Sequence, residues 1–389
     1  MSTPPTFPDC VPRLTDGVVT LRAHTEDDVP ALYEQSTDSV MLRWTTLPDP
    51  STPETATELA TQGIPAGWRT GSEWAYAVEA PDEDGAPRFV GTVSLRDEGH
   101  TRAEVAFGAH PWSRGRGYVV RALELLLDWG FRERGLRTVI WWADQGNWAS
   151  RKVAWRVGFS FDGTVRRWLP RHGELRDAWV GVLTAQDERR PRSPWLEVPR
   201  LAGPGVVLRR LRETDVPRIV EACSDETTSS WLTHLPAPYT ARDAHDYLER
   251  QRELLATGAG LSWAVSPPED DVLAGLVTVF DIDPGDDAEV GYWMHPGVRA
   301  RGLATAACAL AVRHAFVPSE DGGLGLRRLR AEVAEGNDVS RRVLEGNGFT
   351  ATGRQRAARR LRGGGTGDLL CYDLLAEEYS PAKREDPPG

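Results

Sequence analysis

Lysine is almost missing from this chain of 389 residues. It stands only at Lys152 and Lys383, so arginine carries nearly all of the positive charge. That bias matches coding in GC-rich genomes and implies no mechanism. Cysteine is as sparse: Cys10, Cys223, Cys308 and Cys371 lie far apart and form no CxxC pair. This spacing excludes a disulfide framework and a zinc site, and suits reduced thiols in a cytoplasmic protein. The eight histidines show no metal-ligand spacing either, so no metal is expected. No apolar run approaches the ~18 residues that a membrane-spanning helix needs. The opening MSTPPTFPDC has neither a basic segment nor an apolar core, and is not read as a signal peptide. With 57 acidic against 46 basic residues the net charge is −11, which argues against nucleic acid as the main partner. Such a chain can draw in a cationic amine, although acidity also serves plain solubility.

What is present is present twice. AEVAFGAHPWSRGRGYVV, from Ala103, returns as AEVGYWMHPGVRARGLAT from Ala288, an offset of 185. NWASRKVAWRVGF, from Asn147, returns as NDVSRRVLEGNGF from Asn337, an offset of 190. LRAHTEDDVP, from Leu21, shares its LR and DVP with LRRLRETDVP from Leu208, an offset of 187. Three blocks in the same order at nearly constant spacing indicate a duplicated domain. The period is far beyond the roughly 20–50 residues of a solenoid repeat.

Composition sets the boundaries. Residues 1–13 are rich in Pro and Thr and are expected to fray. A first domain covers 14–185, a linker dense in Pro and charge covers 186–204, and a second domain covers 205–379. A polar, Pro-rich tail, 380–389, is expected to be disordered. Within each copy, strand patterns and amphipathic helices alternate irregularly. Val105 and Phe107 share one face of a strand whose other face carries Glu104, Ala106 and Gly108. Val290, Tyr292 and Met294 alternate likewise with Glu289, Gly291 and Trp293. Helical spacing of Val120, Leu123, Leu127 and Phe131 follows in the first copy. The fold class is α+β, with a largely antiparallel sheet and helices on both faces in each domain.

Between that strand and that helix lies Arg299-Ala300-Arg301-Gly302-Leu303-Ala304. A helix start offers up to four unpaired N–H groups and the positive end of its dipole, so it suits an anion such as a pyrophosphate. Gly302 permits close approach, Ala304 keeps it open, and the Arg299 and Arg301 side chains add charge for the anion. Taken alone, the segment reads equally well as a tight turn with a solvated arginine pair. In context it resembles the acetyl-CoA-binding motif of the GNAT superfamily of N-acetyltransferases, [Q/R]-x-x-G-x-[G/A], matched by Arg299, Gly302 and Ala304. The downstream N-x-x-S-x-x-V-L-E-x-x-G-F and both opening blocks resemble the branch that includes ribosomal-protein alanine N-acetyltransferases.

The resemblance implies two tandem GNAT-like domains, each a mostly antiparallel mixed sheet with a central split that takes the pantetheine arm. Backbone near Met294 would pair with that arm and polarise the thioester carbonyl. The pyrophosphate would rest on N–H groups from Arg299, Ala300, Arg301, Gly302, Leu303, Ala304 and Thr305. Glu289, and Glu104 in the first copy, match a position where many relatives carry a catalytic glutamate. A carboxylate there can equally hold a backbone group or an arginine. Many relatives protonate the leaving thiolate with a tyrosine four residues before the G of the GF turn. That position is Leu344, or Ala154 in the first copy, so the tyrosine is absent and Ser340 is the expected substitute. Asn337, and Asn147 in the first copy, would hold the pantetheine arm. Capping of the following helix by Asn337 is compatible with that role.

The copies are unequal. The first reads Arg114-Gly115-Arg116-Gly117-Tyr118-Val119, with a branched Val where the family has Gly or Ala. Twelve of the fifteen tryptophans precede residue 200, as an aromatic wall for a bulky acceptor or as core. The acidic stretch Asp281 to Asp287 reads as a solvated hairpin or an acceptor rim. His110 and His295 both precede Pro and read as a repeated turn. The expected function is direct acetyl transfer from acetyl-CoA to a primary amine, either a peptide or protein N-terminus or a small molecule such as an antibiotic or biosynthetic intermediate. The rival is an inactive acyl-CoA-binding sensor or scaffold. Two copies in one chain can stand as a pseudo-dimer in a monomer, or form a homodimer.

Overall fold

The computed structural model describes residues 6–45, 51–171 and 173–379. The expected disordered tail at 380–389, and residues 1–5 of the expected frayed start, lie outside the described residues. Val11, inside that expected fray, packs against the first core. Two units divide at Arg192/Ser193.

The first unit holds β1 (Leu14–Thr15), β2 (Thr20–Arg22), β3 (Glu73–Pro81), β4 (Pro87–Gly99), β5 (Arg102–Ala109), β6 (Thr138–Asp144), β7 (Gly163–Arg171) and β8 (Glu174–Thr184). Its helices are α1 (Val29–Thr37), α2 (Ser39–Trp44), α3 (Pro53–Glu58), α4 (Ile64–Thr70), α5 (Tyr118–Arg132) and α6 (Trp148–Arg156). The second unit repeats the plan with β9 (Leu201–Gly203), β10 (Val206–Arg209), β11 (Gly260–Ser266), β12 (Gly275–Phe280), β13 (Asp287–Met294), β14 (Arg328–Ala334), β15 (Thr350–Arg360) and β16 (Thr366–Leu375). Its helices are α7 (Val216–Ser224), α8 (Glu226–Trp231), α9 (Ala241–Thr257), α10 (Leu303–Phe316) and α11 (Asp338–Gly346). No helix among the described residues is long and apolar enough to cross a membrane.

Sheet order is β1-β2-β3-β4-β5-β6-β8-β7 in the first unit and β9-β10-β11-β12-β13-β14-β16-β15 in the second. Among the described residues only β5–β6 and β13–β14 run parallel, because a helix crosses over between the members of each pair. The alternation in β13 works as its pattern implies. Val290 is buried among α10 and α11 side chains, with Tyr292 and Met294 packed beside it. Trp293, on the opposite face, joins a separate cluster with Ile219 and Ala244. In the first unit Leu123, Leu126 and Leu127 of α5 are fully buried against β4 and β5 residues such as Val93, Leu95 and Val105.

Within the segment expected as a linker, Arg192 donates to the Gly158 carbonyl (3.1 Å) and Pro199 accepts from the Trp263 indole (2.9 Å). Leu201–Gly203 then pairs with Val206–Leu208 as the edge of the second sheet. One further difference separates the copies. Thr52 and Thr240 cap the covering helices in the same way, and Gly71 and Gly258 end them with φ near +74°. Between these caps the first copy has one residue more than the second. The extra residue is absorbed as a π turn at Leu59–Gly63, whereas α9 is unbroken.

The repeated LR…DVP block is a buried ion pair. Arg22 grips Asp28 with two bonds (2.7 and 2.8 Å), and Arg209 grips Asp215 likewise (2.9 and 2.8 Å). Each carboxylate also accepts a backbone N–H, from Thr25 or Arg212, just before α1 or α7. The fork therefore ties β2 or β10, one strand in from the sheet edge, to the start of the first helix. Arg209 and Asp215 are each only 4% exposed, and Arg209 also reaches Asp271 at 2.5 Å, so losing Asp215 leaves a poorly solvated guanidinium with one carboxylate in place of two. Asp215→Ala is expected to cost about 3 kcal/mol, read as a lower denaturant midpoint for the second unit.

Candidate active site

The central parallel pair does not stay paired. β13 meets β14 only at Asp287, Ala288 and Glu289, and the two strands part after the Glu289–Arg330 partners. β5 leaves β6 after Val105–Trp141. Each fork opens a split whose β13 or β5 edge has free hydrogen-bonding capacity, and Glu289 stands where the second split begins.

The surroundings of Glu289 favour proton exchange. Its side chain is 18% exposed, and the Arg330 guanidinium is held by Asp287 at 3.0 Å, leaving only a loose 3.8 Å approach to Glu289. Phe280 lies across on β12. Burial, followed by the nearby Glu332 carboxylate, pushes the Glu289 carboxyl up to about 7. Burial raises Glu104 as well, but its cross-strand partner is Arg96, which reaches it at 3.3 Å. The first copy thus puts an arginine where the second has Phe280, and Glu104 takes the arginine-holding role.

The loop after β13 is braced at both ends. His295 Nε2 meets Glu221 at 3.0 Å while its Nδ1 accepts from the Gly297 amide. His110 faces Glu34 at 3.3 Å in the first unit, so the repeated His-Pro is a pinned turn. The Arg299 guanidinium, expected at an anion, bonds instead to Asp225 and Thr228, both at 2.6 Å. Asp225 N-caps α8. Arg114 makes the same pair with Asp38, the cap of α2. The fingerprint arginine therefore positions the loop by its side chain, and its amide is turned to the Pro296 carbonyl at 3.4 Å.

Beyond it, Ala300 (φ +60°) and Gly302 (φ +76°) turn the chain into α10, whose start has no side-chain cap. The left-handed turn costs Ala300 strain that Gly115 (φ +77°) avoids in the first copy. The amides of Leu303, Ala304 and Thr305 thus lie in the uncapped first turn, and Arg301 is exposed with no ionic partner among the described residues. In the first copy Gly117 (φ +80°) opens α5, Arg116 is drawn to Glu83 at 3.0 Å, and the Tyr118 hydroxyl donates to Pro81 at 3.1 Å. Val119 is half-buried in the first turn, packed against the core.

On the other arm, Asn337 caps α11 by accepting from the Ser340 amide at 3.2 Å, and Asn147 does the same for Ser150. Leu344 and Ala154 are buried in the core, so neither can supply a proton. The Ser340 carbonyl accepts from the Tyr292 hydroxyl at 2.9 Å, and its own hydroxyl has no hydrogen bond among the described residues. In the first unit the Ser150 hydroxyl is occupied by Trp141 Nε1 at 3.0 Å. Met294 ends β13 with its side chain against the second core.

Tyr292, Phe280, Glu332, Asp38 and Asp225 were not legible as site residues. Asp38 and Asp225 lie 187 residues apart and could have been noticed as a fourth repeat. Tyr292 reads as core because it shares a face with Val290. Most tryptophans are core, Trp74, Trp129, Trp141 and Trp179 among them, but Trp142 stacks on the half-exposed Trp168 (5.5 Å) on the Glu104 face. The acidic stretch is a hairpin turn in which Asp286 pairs with Arg327 at 2.6 Å. No group of three potential metal ligands exists among the described residues.

The family described as "Acetyltransferase (GNAT) domain" matches residues 19–160 and again 206–350. "Putative ribosomal N-acetyltransferase YdaF" of Bacillus subtilis is 28% identical over 186 residues, 46% of this chain and 95% of that protein. The solved structure "Mycobacterium smegmatis RimJ in complex with CoA-disulfide" is 24% identical, covering 47% of this chain and 90% of that one at a TM-score of 0.41. "Microcin C7 self immunity acetyltransferase MccE in complex with Acetyl-CoA and AMP" is 18% identical, covering 44% and 93% at a TM-score of 0.39. With the family matched once in each unit and over more than half of its length, this chain belongs to the GNAT acetyltransferase family and carries the domain in tandem.

Proposed function

We propose that this protein transfers acetyl directly from acetyl-CoA to a primary amine, and that the second unit carries the reaction. The observation that weighs most is Glu289, half-buried at the fork of the split with its carboxyl raised to about 7. The chain around it suits the donor. The uncapped start of α10 and the exposed Arg301 fit a pyrophosphate, and the β13 edge past Glu289 is free to pair with an extended arm. Acetyl-CoA supplies an activated acyl group and a thiolate leaving group.

The residues divide the work. Glu289 accepts a proton from the incoming ammonium, freeing the lone pair that forms the new N–C bond. Amides on the β13 edge near Met294 polarise the carbonyl oxygen. As the C–S bond breaks, the Ser340 hydroxyl gives its proton to sulfur and takes back, through water, the second proton that the new amide nitrogen loses, while Glu289 releases its own to solvent. Asn337 presents the helix start that holds Ser340. The name of the Bacillus subtilis relative supports a protein N-terminus as acceptor, with a small-molecule amine as the other candidate. A cytoplasmic setting accords with the dispersed thiols.

In the first unit, several observations favour a supporting role without turnover. Glu104 is paired with Arg96, the Ser150 hydroxyl accepts from Trp141, Arg116 is drawn to Glu83, and β-branched Val119 stands where the second unit has Ala304.

Two outcomes are expected. A base acts only when deprotonated, so kcat/KM should rise with pH through about 7, well above the ~4.3 of an exposed glutamate. Glu289→Gln should remove that limb and lower kcat about 100-fold or more while acetyl-CoA still binds; a variant with full activity would discard Glu289 as base. Calorimetric titration should find one acetyl-CoA site, abolished by Ala304→Trp. A site that survives this change would restore the first unit as a cofactor binder.

A further inference from the structure

The two arms of the second split are joined at one point that the reaction scheme leaves unused. After Glu289–Arg330, β13 has no further backbone partner on β14. Three residues beyond Glu289 the Tyr292 side chain crosses the gap, and its hydroxyl donates to the Ser340 carbonyl at 2.9 Å. Ser340 lies in the first turn of α11, the helix that follows β14, so this bond spans from one arm to the other. Tyr292 is packed against the second core beside Val290 and Met294, which limits its freedom to swing away.

The first copy shows the alternative. Phe107 holds the place of Tyr292 and has no hydroxyl to offer. There the serine is tethered from its own arm, because Trp141 of β6 donates to the Ser150 hydroxyl, and Ala331 stands where Trp141 would be in the second copy. One tether grips the carbonyl and leaves the hydroxyl free; the other grips the hydroxyl itself. A hydroxyl whose oxygen already accepts an indole N–H is held toward that ring, away from a ligand in the split.

We infer that Tyr292 is a positioning residue: by holding the Ser340 carbonyl across the split, it sets the Ser340 hydroxyl against the sulfur of a donor lying along β13. This rests on the proposal that Ser340 supplies the proton to the leaving thiolate. Burial pushes the Tyr292 phenol well above its ordinary range, so the hydroxyl stays a donor throughout the working pH. The remaining charged groups near the fork, Glu289, Arg330 and Glu332, lie on the opposite sheet face and leave the bridge alone.

A double-mutant cycle on the full chain tests this. Thiol release from acetyl-CoA is followed with a short peptide bearing a free N-terminal serine, for wild type, Tyr292→Phe, Ser340→Ala and the double variant. Phe is native at the equivalent position 107, so Tyr292→Phe is expected to fold and to bind acetyl-CoA as wild type does. Its kcat should fall about tenfold at unchanged KM for acetyl-CoA, with an enlarged solvent deuterium isotope effect as proton delivery becomes limiting. In the Ser340→Ala background the same change should cost nothing further, because Tyr292 acts through Ser340. Additive losses, or a full-rate Tyr292→Phe beside an impaired Ser340→Ala, overturn the inference alone. A full-rate Ser340→Ala removes the proton-donor reading and this inference with it. No thiol release from wild type with this peptide or with a panel of small primary amines overturns both.

Discussion

Everything at the site depends on one interruption: a parallel strand pair that holds together for three residues and then separates. Parallel neighbours inside a sheet normally satisfy each other's backbone groups along their whole overlap. Here β13 keeps its antiparallel partner β12 along its length while its other edge is released after Glu289. That released edge creates a demand for an extended hydrogen-bonding guest. It also leaves a carboxylate at the fork, half out of water, with its only nearby arginine engaged by Asp287. The helices that follow each arm, α10 and α11, direct their starts at the same opening. The proposed sites for an anion and for proton exchange thus arise from one departure in pairing.

The duplicated domain provides an internal control. Both units keep what builds the frame: the Arg–Asp fork at the start, the helix-capping aspartate bound to the loop arginine, and the pinned His-Pro turn. They diverge in what would perform chemistry. An arginine faces Glu104 where Phe280 faces Glu289, so burial raises both carboxyls but only the first has a close cation that offsets it. Trp142 and Trp168 stack where the second copy has Glu332 and Ala358, exchanging a charged rim for an aromatic one. Preserved scaffolding beside altered reactive groups is the pattern expected of a copy retained for support or recognition.

Much of this was legible in the chain. The alternation of β13, the helix of Leu123 and Leu127, and the order of elements follow from periodicities that hydrophobic burial imposes locally. The Gly302 turn leaves a trace because a left-handed residue favours glycine, whereas Glu289 and Ser340 were singled out by the resemblance. The side-chain role of Arg299 was misread. In sequence a Gly-rich turn with two arginines looks like a cradle for phosphate, and nothing local reveals that Asp225, 74 residues earlier, claims one of them. The hydroxyl of Tyr292 was hidden for the same reason, since its partner lies 48 residues on.

The sequence by itself determined that there are two domains, what each is made of, and which residues could take part in acetyl transfer. Hydrophobic spacing and turn chemistry act between near neighbours, so they are written where they act. Tertiary structure decided which of those residues are free to act. Whether a carboxylate is buried or paired, whether an arginine faces solvent or a helix cap, and whether a serine is held by its carbonyl or its hydroxyl all depend on groups distant in the chain. Their proximity is set by how the strands part.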